Sequence, residues 1–225
     1  MRVFRAPVHI HVAEQVAEVE ACLAATGHRL VEWLFDRFSV DECWCLVHAT
    51  HIDASGAVAG LCLTTEANLG DGVFPSRDYL DAGGRIGVGS DSHVGIDWRS
   101  ELRLLEYGQR LCRRQRNVLA STTQSRPADR LFDAALGGGA HTTGRAVRAL
   151  APGRRADWLV LDDAYPGIGG HACDTWLSSV VFCEHGETPV RDVFVGGRKM
   201  IDARRHAQEH ESLARYRAAL RGLLS

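Results

Sequence analysis

Hydrophobic positions in the first half of the chain fall into short runs, most of which end on a polar residue. The first, Val8 to Val12 (VHIHV), reads as a short buried strand, with Glu14 just beyond it. Val16, Val19, Cys22 and Leu23 then recur at the spacing of a helix face, and Gly27 follows as a C-cap. Val31, Leu34 and Phe35 mark a second helix. The run Cys45-Leu46-Val47 ends on His48, and Ala57 to Cys62 (AVAGLC) leads into TTEANLGDG, which reads as a loop. Tyr79-Leu80 closes a short helix, Arg85 to Ser90 (RIGVGS) ends on Asp91, and Glu101 to Cys112 is again helical. Short apolar strands alternating mostly with helices predict parallel βα units. A barrel built from such units places its reactive groups at the C-terminal ends of the strands. It needs eight units, and this pattern supplies four.

After about Ser125 the texture changes. Arg130 to Gly139 (RLFDAALGGG) predicts a helix that ends at its glycines, and Asp157 to Leu161 a strand after a turn. Trp176 to Cys183 and Val190 to Val195 alternate enough to predict antiparallel strands, the second followed by a turn at Gly196-Gly197. Glu209 to Leu224 predicts a closing amphipathic helix. The expected organisation is a partial barrel with bracing helices over residues 1–150 and a small β subdomain with a C-terminal helix over 151–225.

Composition narrows the function classes. The 225 residues are 45% apolar and 24% charged, with a formal charge of -2. That balance gives no electrostatic reason to expect nucleic acid or an anionic membrane as partner. Arg110, Arg113, Arg114 and Arg116 read as the solvated face of a helix, and no apolar stretch is long enough to span a bilayer. Without a signal-peptide pattern, the 7 cysteines read as reduced thiols of a cytoplasmic protein. Cys43 and Cys45 match no zinc-binding spacing and read as packing residues.

The residues with chemistry sit at the strand ends. His9 and His11 share one face of their strand because side chains alternate with period two. Neutral imidazole is a good zinc ligand, and a neighbouring carboxylate such as Glu14 can move protons to and from water. Any one of these residues alone is more commonly a satisfied structural group. His48 in LVHATH and Asp91 in VGSDSH end two further apolar runs, so neighbouring strands would deliver all of them to one mouth.

The set HVAE, LVHATH and VGSDSH resembles strands five, six and eight of the amidohydrolase superfamily. The longer phrases TTEANLGDGVFP, ELRLLEYGQR, RADWLVLD and VRDVFVGGR are similar to the formimidoylglutamate deiminases within it. The resemblance implies an α/β fold: the C-terminal half of a TIM-like (β/α)8 barrel, strands five to eight, followed by a segment of a small β-sandwich subdomain. It implies one divalent metal, most commonly zinc, held in part by His11 and Asp91. It further implies that Asp91 accepts a proton from water, that Glu14 protonates the departing nitrogen, and that His48 orients the reacting group. His9, Glu66 and His93 are weaker candidates, for the substrate side or for supporting hydrogen bonds, with packing the first reading of His9.

The implied reaction converts N-formimidoyl-L-glutamate to N-formyl-L-glutamate and ammonia in histidine degradation. The family's first four barrel units, with the His-x-His that supplies two metal ligands, have no counterpart in this sequence. Only Ile52 to Ala57 separate His51 from Val58, so the helix after strand six is expected to be lost, and Leu63 stands where the family usually has proline. A truncated copy or partial gene is therefore expected, with weak metal binding by this chain alone and a small molecule as substrate. Exposed strand edges would favour a homodimer or a separately supplied N-terminal half. The alternatives are an inactive remnant that acts only by association, and a deaminase of guanine or another heterocycle.

Overall fold

The structure, a computed structural model, describes residues 6–52, 56–183 and 186–224. It opens with strand β1 (Val8–Val12), helices α1 (Val16–Thr26) and α2 (Leu30–Arg37), and strand β2 (Trp44–His48). Strand β3 (Val58–Leu61), helices α3 (Leu63–Leu69) and α4 (Ser76–Asp81), and strand β4 (Arg85–Val88) follow. The second half holds α5 (Trp98–Arg113), α6 (Pro127–Thr143), β5 (Trp158–Leu161), α7 (Trp176–Phe182), β6 (Val190–Val195), β7 (Arg198–Asp202), β8 (Arg205–His206) and α8 (Glu209–Leu224).

Strands β1 to β4 form one parallel sheet in sequential order, as the apolar runs predict. Val12 pairs with His48, Leu46 with Ala59, and Leu61 with Val88, so the polar residues beyond each strand emerge at the same end. The core is set on this sheet by Leu46, Leu61 and Ile86, with Phe74, Leu102, Leu105, Leu119 and Leu131 from the surrounding segments, all almost fully buried. No helix lies between β2 and β3 among the described residues. Residues 49–57 separate the end of β2 from the start of β3 in the sequence, and a fully extended chain of that length reaches about 30 Å. A strand of this size is about 16 Å long, so the shortened crossover still closes.

Four features depart from the sequence-based expectations. TTEANLGDG is not a loop: α3 occupies most of it, burying Leu63, Thr65 and Glu66 and ending at Gly70, whose φ of 78° is left-handed. Helix α6 does not stop at its glycines but runs through them to Thr143, because Gly138 lies directly against β4. The segment from Trp176 is helix α7, not a strand. Its consecutive valines, Val180 and Val181, enter two different apolar clusters, an arrangement a helix satisfies and a one-faced strand does not. Finally, the tail holds one antiparallel sheet of β5 to β8; two facing layers of a sandwich do not occur among the described residues. Trp98 of α5 and Trp176 of α7 pack on the second cluster, around Tyr165, Ile168 and Val180.

Candidate active site

The backbone departs from its favoured conformations at the C-terminal ends of three parallel strands, as it also does at Arg114, Asn117, Ala203 and Arg204 away from them. Ala13 after β1 (φ 53°), His48 and Ala49 at the end of β2 (φ 64° and 46°) and Asp91 after β4 (φ 49°) are all left-handed without being glycine. Each such residue costs on the order of 1–3 kcal/mol, and strain of this kind concentrates at functional sites. Three strand ends are bent at the same edge of the sheet, and the polar side chains leave from those bends.

His11, Glu14 and His48 come together there: one ligand atom from each lies within 4.8 Å of the other two. His48 is fully buried, while His11 is exposed and meets the His48 ring edge-on with centroids 5.1 Å apart. The Nε2 of His48 faces Glu14 Oε1 at 3.6 Å and has no hydrogen-bond partner, and its Nδ1 lies 3.3 Å from Glu66 Oε1. Burial alone would lower the basicity of this imidazole. The hydrogen bond with Glu66 and the negative charges of Glu14, Glu66 and Asp91 outweigh it and hold the pKa above the ordinary histidine value.

Glu66 is nearly fully buried, and its Oε1 also accepts the Cys62 backbone N–H at 2.8 Å. Next to it in α3, Thr65 donates its hydroxyl to the Ser90 carbonyl at 2.7 Å, directly before Asp91. Thr64 donates its backbone N–H and its hydroxyl to the buried Glu101 of α5. Burial, and secondarily the Glu66 charge, push the Glu101 carboxyl up, while these Thr64 hydrogen bonds pull it down; the net shift is upward.

The remaining candidates are placed elsewhere. His9, one pleat back along β1, hydrogen-bonds through Nε2 to the Thr142 carbonyl at 2.9 Å, tying the strand to the end of α6. His93 turns back on its own loop, where Nδ1 accepts the Gly95 N–H at 3.0 Å. Asp91 is exposed and does not lie within 4.8 Å of all three members of the His11 group, although its charge reaches both His48 and Cys62. Sequence reasoning did not single out Thr64, Thr65 or Glu101, nor Thr50, His51 and Asp71. Buried atoms of these last three, with His48 Nε2 and Glu66 Oε2, have no hydrogen-bond partner.

The sequence profile of the amidohydrolase family matches residues 1–200. The chain belongs to the amidohydrolase family. It is 50% identical to the formimidoylglutamate deiminase of Pseudomonas aeruginosa, over 97% of this chain and 50% of that protein. The 8-oxoguanine deaminase of the same organism is 29% identical, over 97% of this chain and 49% of that one. A crystal structure of an amidohydrolase from Brucella melitensis superposes with a TM-score of 0.90 at 45% identity, covering 98% of this chain and 50% of that chain. An adenosine deaminase from Xanthomonas campestris with bound zinc shares the fold, with a TM-score of 0.80 at 21% identity over 96% of this chain and 51% of that one. This amidohydrolase spans about half the length of the curated relatives it matches.

The side chains of the amidohydrolase site suit a divalent metal. Two imidazoles and a carboxylate are nitrogen and oxygen donors of the kind zinc takes. They converge within 4.8 Å, and the buried His48 Nε2 is not committed to a hydrogen bond. Among the described residues no helix is long and apolar enough to cross a membrane.

Proposed function

We propose that the chain carries strands five to eight of a formimidoylglutamate deiminase barrel, and that this protein hydrolyses N-formimidoyl-L-glutamate to N-formyl-L-glutamate and ammonia. The observation that carries the reading is the 50% identity to a formimidoylglutamate deiminase, over nearly the whole chain. The convergence of His11, Glu14 and His48 at the strand ends agrees with it.

In this reading His11 and Asp91 would hold the divalent metal, beside Glu14 and His48, although Asp91 stands outside the group that converges within 4.8 Å. When bound, the metal supplies Lewis acidity that brings the pKa of a water down toward about 7. Asp91 takes a proton from the attacking water, whose oxygen bonds to the formimino carbon. The proton of the hydroxyl left on that carbon passes to the Glu14 carboxylate and from it to the departing nitrogen as the C–N bond breaks and the C=O bond forms, and ammonia leaves. Buried His48 orients the reacting group, and the carboxylates of Glu14 and Asp91 suit a cationic amidine through charge-assisted hydrogen bonds.

Ammonia release tests the reading. The 225 residues, joined to the N-terminal half of the Pseudomonas aeruginosa relative, should consume N-formimidoyl-L-glutamate in preference to 8-oxoguanine or 5′-methylthioadenosine. A preference for either purine would overturn the substrate assignment. By itself the 225-residue chain should hold well under one equivalent of metal and release negligible ammonia. A full equivalent of tightly held zinc with measurable turnover would refute that.

A second reading, a chain that acts by association, is favoured by the sheet itself. Strands β1 and β4 are its two edges, with no further strand paired to either among the described residues. Open edges of this kind pair readily with other chains. A monomeric mass in solution, together with turnover, would remove this reading.

A further inference from the structure

We propose that Glu66 is a positioning residue for His48: its Oε1 keeps the hydrogen of the imidazole on Nδ1, so that Nε2 is the ring atom presented to Glu14 and the reacting group. The proposal rests on the reading of His48 as a group that acts on substrate, and adds which of its nitrogens acts and what selects it.

The geometry fixes the direction of the hydrogen bond. Glu66 Oε1 accepts the Cys62 backbone N–H at 2.8 Å, so this oxygen is an acceptor whether the carboxyl is ionised or carries its proton on Oε2. With that oxygen already accepting, the Nδ1 of His48, 3.3 Å away, is assigned as the donor. A neutral imidazole has one N–H, so its lone pair falls on Nε2. That nitrogen points to Glu14 Oε1 at 3.6 Å and makes no hydrogen bond of its own. Both residues are almost fully buried, so water does not compete for Nδ1. Supporting partners of this kind commonly set the tautomer and ring orientation of functional histidines.

The same carboxylate braces the start of α3, so loss of stability alone would not distinguish positioning from bracing. Ring nitrogen shifts do. The chain labelled with 15N-histidine, kept metal-free with a chelator, gives long-range 1H–15N correlations, and His48 is assigned by its disappearance in His48→Asn. Recorded at alkaline pH, where the ring is neutral, the expected wild-type pattern is the Nδ1–H tautomer, the less common form of free imidazole. Glu66→Gln keeps an oxygen acceptor and should keep that pattern. Glu66→Leu removes the acceptor at similar volume and should shift His48 to mainly Nε2–H. An Nε2–H pattern in the wild type overturns the proposal, as does an unchanged Nδ1–H pattern in a folded Glu66→Leu. Should Glu66→Leu fail to fold, the wild-type tautomer still decides. Because the readout is not turnover, a wrong substrate assignment would leave this result standing.

Discussion

Three consecutive glycines in α6 allow a stringent check of the architecture, because neighbouring substitutions should have opposite signs. A Cβ added at Gly138 would lie 1.9 Å from the Ile86 carbonyl oxygen, 2.4 Å from its carbon and 2.9 Å from the Gly87 nitrogen. Ordinary carbon–oxygen contacts are about 3.3 Å or longer, so helix and strand would have to separate by roughly 1.4 Å. Both sides of the clash are backbone, and neither can rotate away. Overpacking typically costs 1–3 kcal/mol, and an unyielding contact belongs at the upper end, so Gly138→Ala should destabilise by about 3 kcal/mol. For a chain of this size that is a fall in Tm of roughly 6–12 °C. At Gly139 an added Cβ meets nothing within 4 Å. There the gain in helix propensity should dominate, about 1 kcal/mol in favour of alanine, with a rise in Tm of roughly 2–4 °C. Thermal melts followed by circular dichroism, with urea midpoints at unchanged m-value, would measure both. A Gly138→Ala protein within about 0.5 kcal/mol of wild type would refute the placement of α6 against β4, the strand that leads to Asp91.

Two further outcomes follow from buried ionisable groups. Burial pushes the Cys45 thiol up to about 11, and burial with nearby carboxylates pushes Cys62 up to about 12. Their thiolate fractions at pH 8 are then about one in a thousand or less, so native alkylation followed by mass spectrometry should label the exposed Cys112 and Cys173 and spare these two. Equal labelling of Cys62 and Cys112 would contradict the burial. Asp71 is raised above the ordinary carboxyl value, first by burial and then by the Glu66 charge, only partly offset by His48 and His51. A raised acid favours the folded state fully below its unfolded pKa, and that contribution is lost as pH rises through the folded value. Asp71→Asn should therefore melt above wild type at neutral pH, with the gap closing near about pH 3; a lower neutral-pH Tm for the variant would contradict this.

The middle of the parallel sheet was legible because β2 and β3 are largely covered on both sides and read as continuous apolar runs. Strand β1 alternates, is mostly exposed, and was legible from the polar residues at its end. The same logic brought His11, Glu14 and His48 together. His9 misled in part, because period-two spacing places it on the face of His11 but about 7 Å further from the strand's C-terminal end, where the Thr142 carbonyl takes it up. Helix α7 was read as a strand because its apolar positions fit a period of two nearly as well as one of 3.6, and only the tertiary surroundings choose. The glycines of α6 carry a stop signal in the sequence. Their other meaning, close backbone approach, depends on a strand about fifty residues earlier. The supporting bonds were illegible for a similar reason: Thr64 and Glu101 lie 37 residues apart, and no local pattern pairs them.

Those bonds explain why the segment after β3 is helical. Successive residues of a helix are turned by about 100°, so three in a row reach in three directions, whereas a strand offers two. In the first turn of α3, Thr64 holds Glu101 of α5, Thr65 holds the Ser90 carbonyl before Asp91, and Glu66 holds His48. The acid at the end of β4 and the imidazole at the end of β2 are thus referred to one rigid turn, although β3 stands between their strands. Neither Asp91 nor His48 has a favoured backbone conformation, since both are left-handed, and each is fixed from outside its own strand. A loop with the same three residues would supply the contacts but not their mutual spacing. The helix makes the separation of the two groups a property of one element.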